Sequence, residues 1–334
     1  MEEKRFADTG AVEAIEELYR ISAYKNSGMA EFQSPRGGNE VMAQRMFLEG
    51  IDFSLVYFPL KHLGYKCVVE VTGELYAAMA HPKALSLVLG VSAKLDLPQI
   101  REIWEGVTAC AKQHGYESVK LDLQPSPNGL YVSISALGET AAITKARLPK
   151  PKTKDLICVS GPLGAAYLGL RLLEKGADDF AKTGVQPDMQ SYKMIVGDYL
   201  KPEFSPDVIS RLEDAEIYPS CAHFLTRGLA DALKRICRDT GLGAKVYADK
   251  MPFEGNSFQL GRELDIDPVS AAMNGGDDCR MLLVVPILKM EQFRRDFQTF
   301  DIIGHLALPE AGAALVTPDG LEMPVKAPGW PEDE

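Results

Sequence analysis

Apolar and polar positions along this chain follow two rhythms, one with the period of a strand and one with the period of a helix. Ala84–Ser92 is an apolar run of strand length, which predicts a buried strand. Between Leu97 and His114 the residues Ile100, Ile103, Trp104, Val107 and Cys110 recur at helical spacing, so a helix is expected there. The segments 118–124 and 130–138 alternate with period two, as two strands paired with each other would. Further on, Asp155–Gly176 predicts a strand, a Gly-Pro-Leu-Gly turn and a helix stopped by Gly176. A second helix is expected over Phe224–Cys237, closed by a glycine-containing turn before a strand at 244–248. Cys279–Ile287 reads as a buried strand followed by a helix over 290–298, and 305–325 as a hairpin turning on Pro318-Asp319-Gly320. The last residues, Pro328–Glu334, read as a frayed tail.

Between these halves lies Arg147–Lys154, where two prolines stand among basic residues and no regular buried element can form. It divides the 334 residues into an N-terminal unit, 1–148, and a C-terminal unit, 155–327, each near the size of one ordinary domain. Interleaved strands and helices place the fold in the α+β (mixed α/β) class, with a sheet in each half. With 46% hydrophobic and 25% charged residues the composition is globular. No apolar run approaches the roughly 18 residues of a membrane span, so no membrane partner is expected. The opening Met1–Gly10 lacks the apolar core of a secretory signal, which points to a cytoplasmic protein. A net charge of −11 argues against nucleic acid as a partner. The six cysteines stand singly without a Cys-x-x-Cys pair, which argues against a zinc site or a disulfide framework.

Three segments carry candidate chemistry. In Asn274–Leu283 two glycines and the adjacent Asp277 and Asp278 precede a strand, an arrangement for a hard cation or a ligand ammonium, or a plain turn with solvated acids. Leu156–Leu170 holds Gly161 and Gly164 between a strand and a helix, a way of aiming amide N–H groups at an anion, or simply a packed turn. Tyr65–Pro82 reads as helical with Glu70 and Glu74 on one face, either sharing a cation or solvated.

Taken in order, these segments resemble the thiamine-monophosphate kinase family, within the superfamily of aminoimidazole ribonucleotide synthetase. The resemblance runs from about residue 41 to 320. Arg45–Phe53 matches the family's Asp-Thr-Leu-Val-x-Gly-x-His-Phe segment, with Gly64-Tyr65-Lys66 at the right distance. Val71–Pro82 matches its Asn-Leu-Ser-Asp-Leu-Ala-Ala-Met-Gly-Ala-x-Pro helix, Gly161–Leu170 its glycine turn, and Gly275–Leu282 its Gly-Gly-Glu-Asp-Tyr-Glu-Leu. The resemblance implies a two-domain aminoimidazole ribonucleotide synthetase-like fold, an N-terminal sheet domain that dimerises into a homodimer, and a small-molecule phosphate substrate. It also implies ATP in the interdomain cleft, with Mg2+ held by aspartates. Val132 and Ile134 are candidates for the sheet-to-sheet dimer.

Several of the expected acids are replaced. The first Gly-Asp-Asp segment reads Asn26-Ser-Gly-Met-Ala30, the opening aspartate of the second is Arg45, and the Gly-Gly-Asp near 123–124 leaves only Asp122 close by. The family's Ile-Asp-x-Ser-Asp-Gly-Leu reads His223-Phe-Leu-Thr-Arg-Gly-Leu229, putting Phe224 and Arg227 where acids stood. The residues so implied in nucleotide binding are Arg45, Glu74, Asp122, Gly161, Gly164 and Arg227. Those left for a metal are Glu74, Asp277 and Asp278, and none is singled out as catalytic. Arginine grips phosphate oxygens in bidentate fashion, so Arg45 and Arg227 either stand in for metal at the phosphates, or point to solvent or pair with Glu74 and Asp277. Three functions are consistent with this pattern: a kinase-like ATP-dependent phosphotransferase with altered metal ligation, a catalytically inactive member that binds a nucleotide, a small ligand or a partner, and, less favoured, another enzyme of the superfamily.

Overall fold

A computed structural model describes residues 30–33, 38–185 and 187–330. The first sheet contains β1 (Ala30–Gln33), β2 (Asn39–Leu48), β3 (His81–Ser92), β4 (Ser118–Ser126) and β5 (Tyr131–Thr140), in the order β1-β2-β5-β3-β4. Helix α1 (Leu60–Ala77) links β2 to β3, and α2 (Leu97–Gln113) links β3 to β4. A parallel pair needs such a crossover, and β3 runs parallel to β4. The segments 118–124 and 130–138 are both strands, but they do not pair with each other: β5 lies between β2 and β3, antiparallel to both. Alternation gave each strand its face and could not give its neighbour.

The start of α2 is written locally. Asp96 accepts from the Gln99 amide while the Gln99 side chain accepts from the Asp96 amide, both at 2.9 Å, a reciprocal cap. The α1–α2 crossing depends on small residues. A Cβ at Gly64 would stand 2.1 Å from the Ile103 carbonyl oxygen, and one at Gly106 would stand 1.9 Å from that of Lys61.

After a short helix, α3 (Ala142–Arg147), the chain enters the second sheet at β6 (Leu156–Val159). There follow α4 (Ala165–Thr183), α5 (Lys193–Leu200), α6 (Val208–Asp214), β7 (Cys221–Leu225), α7 (Leu229–Thr240) and β8 (Gly243–Tyr247). Then come α8 (Ser257–Leu264), α9 (Pro268–Asn274), β9 (Arg280–Val285), α10 (Met290–Asp296), β10 (Asp301–Ala307), β11 (Ala313–Val316) and β12 (Glu322–Pro324). The strand order is β12-β11-β8-β10-β6-β9-β7.

Four expectations change here. Gly176 does not stop α4, which runs to Thr183 and ends on Gly184 at φ +70°. Gly176 is instead a contact point, where a Cβ would lie 2.3 Å from the Met189 side chain. Phe224 belongs to β7 rather than to a helix, and α7 begins only at Leu229. The hairpin about Pro318-Asp319-Gly320 joins β11 and β12 alone, while β10 pairs with β6 and β8. Trp330 is docked rather than frayed: its Nε1 donates to Asp231 Oδ1 at 2.8 Å, and the Arg235 and Arg238 guanidinium groups lie 5.9 and 5.6 Å from its ring.

Helix α1 is buried on nearly every side because it lies between the sheets, touching β2 and β5 of one and β7 and β9 of the other. A continuous apolar cluster therefore runs from Val41 and Phe47 through Leu63, Val68 and Leu75 to Met281 and Phe297. Val132 and Ile134 face α1 and are buried within the chain. The opposite face of the first sheet carries exposed Met46, Val88 and Leu137, so that face rather than the one bearing Val132 is open to a second molecule. Among the described residues no helix is long and apolar enough to cross a membrane.

Candidate functional site

Three charged residues of α1 fall in one stripe. Lys66, Glu70 and Glu74 are four residues apart, so they lie along one face, and burial of the helix between the sheets carries that stripe inside with it. Only 3% of the Lys66 side chain is exposed and none of Glu70. A solvated helix face is thereby excluded for Glu70.

Buried charges persist only when paired. Lys66 Nζ donates to Asp277 Oδ2 at 2.9 Å and stands 4.0 Å above the Tyr199 ring, with the Phe58 ring at 5.6 Å. Burial alone would lower the Lys66 pKa, but Asp277 and Glu70 outweigh it and hold the ammonium charged. Arg45, on β2, places Nη1 2.8 Å from Glu70 Oε2 and Nη2 3.9 Å from Asp277 Oδ1, with its guanidinium 5.2 Å from the Phe47 ring. The Arg45–Glu70 approach is close in distance without hydrogen-bond alignment, leaving both Glu70 oxygens without a directed donor. Burial accordingly pushes the Glu70 carboxyl up to about 7, against the pull of Arg45 and Lys66. Glu74 is also raised by burial and is held down by Arg45, Arg227 and Arg235.

Asp277 reaches this cluster through a contorted loop. Gly276, Asp277 and Cys279 all have left-handed φ, at +81°, +61° and +51°. Such a conformation costs roughly 1–2 kcal/mol for each non-glycine residue. The loop is held against β7, with the Asp277 amide donating to Thr226 O at 3.1 Å and the Cys279 amide to Leu225 O at 2.8 Å. Arg227, in the turn between β7 and α7, is exposed. Partial burial and the neighbouring Arg235 and Arg45 lower its pKa, while Asp231 and Glu74 oppose them.

Arg45, Glu74, Asp277 and Arg227 therefore come together, joined by Lys66 and Glu70. Asp122 does not join them. It lies in the cross-strand row Asp122, Val88, Ser133, Met46, whereas Arg45 aligns with Ile134 and faces the other side of the sheet. Gly161 and Gly164 form the expected turn, but its anion is the chain's own carboxylate. The Gly164 amide donates to Asp278 Oδ2 at 3.0 Å, and burial pushes Asp278 up to about 7. A Cβ at Gly164 would stand 2.7 Å from the Ala272 amide nitrogen, so the turn is also tightly packed. Phe224 presses against α1, where a Cβ at Gly73 would lie 2.3 Å from its ring, and stacks edge-on with Phe204 at 5.3 Å. The segment Asn26–Met29 lies outside the described residues.

Glu74, Asp277 and Asp278 do not fit a magnesium ion as a set. Asp277 is neutralised by Lys66 and Arg45, Asp278 faces the start of α4, and these carboxylates do not gather their oxygens within metal-sharing distance. In sequence Glu70 stands out only as the helical partner of Glu74 and Lys66 only as part of the matched Gly64-Tyr65-Lys66, and neither is assigned to the site because a Lys-Cys-Val-Val-Glu stretch is ordinary on a helix. Their i, i+4, i+8 register with Glu74 was the available signal, and it becomes informative only on a helix buried all round.

Residues 27–140 match the family described as AIR synthase related protein, N-terminal domain. The thiamine-monophosphate kinase of Synechococcus elongatus is 25% identical over 253 residues, 75% of this chain and 73% of that one. A putative hydrogenase expression/formation protein of Methanocaldococcus jannaschii is 23% identical over 309 residues, 88% of this chain and 85% of that one. The solved structure of AaThiL complexed with AMPPCP and TMP is 18% identical and superimposes with a TM-score of 0.81 over 100% of both chains, which establishes the shared fold. Its ordered motifs, its relatives and its two-sheet fold together support the thiamine-monophosphate kinase family, of which this chain resembles a divergent member.

Proposed function

We propose that this protein is an ATP-dependent phosphotransferase of the thiamine-monophosphate kinase kind, acting in the cytoplasm on a small phosphate ester. ATP would lie in the cleft between units 1–148 and 155–327. The observation that carries the reading is the charged cluster where β2, α1, the Gly276–Cys279 loop and the β7–α7 turn meet. Phosphoryl transfer asks the protein mainly for positioning and for positive charge at the phosphate oxygens. Arg227 is the exposed cation of the cluster, and a guanidinium grips phosphate in bidentate fashion. Arg45 and Lys66 form a rigid layer behind it, their charge offset by Glu70 and Asp277, which leaves Arg227 to meet the phosphates. Glu74 lies among these cations and balances them. The relatives named thiamine-monophosphate kinase and the neighbour crystallised with AMPPCP and TMP support this choice of nucleotide and acceptor.

Calorimetry of ATP binding with and without magnesium, together with ADP release on adding thiamine monophosphate, tests the proposal. Binding accompanied by acceptor-dependent ADP release is expected, and no ATP binding at any magnesium concentration refutes it. Arg227→Asp should weaken ATP at least tenfold, and unchanged affinity would remove Arg227 from the phosphates. Homodimerisation through the face bearing Met46, Val88 and Leu137 belongs to the same proposal and is read by light scattering.

A second reading is favoured by Phe224 packed on Gly73 and by the poor fit of the acids to magnesium. In it the protein binds the nucleotide without turning it over, as a ligand-binding or partner subunit. ATP affinity indifferent to magnesium, with no ADP released, would select this reading.

A further inference from the structure

We propose that Cys221, His223 and Asp239 form a site for a borderline-soft divalent metal such as Zn2+, separate from the charged cluster and at the opposite end of β7 from Arg227. Residues two apart on a strand share a face, which puts Cys221 and His223 side by side. Helix α7 returns so that its last turn brings Asp239 to them. Cys221 Sγ lies 3.8 Å from His223 Nε2, and Asp239 Oδ2 lies 3.2 Å from the same nitrogen. All three donor atoms fall within 4.8 Å of one another.

The shared nitrogen is the informative detail. A proton relay through histidine uses opposite ring nitrogens for its two partners. Here sulfur and carboxylate converge on one side of the ring, as ligands of a common ion do. Tetrahedral zinc, with bonds of about 2.3 Å to sulfur and about 2.0–2.2 Å to nitrogen and oxygen, sets ligands about 3.6 Å (S to N) and about 3.4 Å (N to O) apart. The observed 3.8 and 3.2 Å need shifts of only a few tenths of an ångström. Asp239 Oδ1 is already engaged by Arg238 Nε at 3.0 Å, the kind of outer contact that orients a metal-binding carboxylate. A thiolate selects against magnesium and calcium. His223 and Asp239 keep 19% and 37% of their side-chain surface exposed, so a water can take the fourth position. Binding expels the Cys221 thiol proton to solvent and ties β7 to α7, the two elements on either side of the Arg227 turn. No Cys-x-x-Cys pattern announces this site, since its third ligand is sixteen residues from the second in sequence.

The test uses the full chain without a histidine tag, stripped with chelator and titrated with Co2+ and then Zn2+. A thiolate-to-cobalt charge-transfer band at one equivalent, bleached by Zn2+, is expected. Cys221→Ser should abolish the band, and Asp239→Asn should weaken Zn2+ binding at least tenfold. Cys237→Ser should leave both unchanged, and circular dichroism checks that each variant is folded. The site is refuted by a wild-type cobalt complex without the thiolate band, by Zn2+ affinity unaltered in folded Cys221→Ser, or by loss of the band in Cys237→Ser. These readouts do not depend on ATP or on turnover, so they fail or succeed independently of the phosphotransferase reading.

Discussion

Replacing Lys66 by methionine removes one charge from the middle of the molecule and keeps its length. At the 2.9 Å separation from Asp277, the gross attraction is roughly 6 kcal/mol for an effective dielectric of about 20. Taking the ammonium out of water offsets several kcal/mol of that. The contact with the Tyr199 ring, 4.0 Å away, adds up to about 2 kcal/mol when desolvated. Breaking one side of a buried pair costs about 3–5 kcal/mol, so Lys66→Met should lose stability in that range. Asp277→Asn should cost less, about 1–2 kcal/mol, because asparagine can still accept from Lys66 and Glu70 remains near. If the two side chains act as a pair, the double variant should recover about 1–3 kcal/mol relative to the sum of the singles. Urea unfolding followed by the fluorescence of Trp104 and Trp330 measures all four species. A coupling energy below about 0.5 kcal/mol would refute the pairing and, with it, the account of how a lysine remains charged inside this fold.

Three further outcomes follow from the geometry. Asp278, and likewise Glu70, hold their protons more tightly folded than unfolded, since burial pushes both up to about 7 from 3.8 and 4.5. Their contribution, about 3–4 kcal/mol each, is full below about pH 4 and is lost as pH rises through 7. Asp278→Asn should therefore match the parent below about pH 4 and be the more stable of the two by pH 8 in urea titrations, and a loss above about 1 kcal/mol at pH 8 contradicts this. Gly73→Ala drives a methyl to 2.3 Å from the Phe224 ring and should cost about 1–3 kcal/mol, with Phe224→Leu restoring most of it in the double variant. Equal losses in the single and double variants would place the strain elsewhere. Trp330→Ala should lower stability by about 1–2 kcal/mol through the lost contact with Asp231 and the neighbouring cations, and an unchanged thermal midpoint would show that the residue is not docked in solution.

Local pattern was enough for α2, whose periodicity and Asp96–Gln99 cap are written within consecutive residues, and for β3, β9 and the β11–β12 turn. The order of motifs was enough for the family resemblance. Local reading failed where a residue answers to something far along the chain. Gly176 resembles a helix stop but is small because Met189 lies against it, and Phe224 resembles the start of a helix but is an edge-strand residue turned onto α1. Asp122 and Arg45 share a sheet and still face opposite sides, because register decides the face and register is set by pairing.

The sequence by itself determined the fold class, the side-chain types available and those elements whose periodicity, caps and turns act over a few residues, such as α2, β3 and β9. Only the tertiary structure decided which charges meet. It placed α1 between two sheets, so that Lys66 and Glu70 are buried and must find Asp277 and Arg45, and it turned Asp278 onto the Gly164 amide. The physical reason is that the cost of a buried charge depends on what surrounds it, and those surroundings come from segments as far apart as residues 45 and 277.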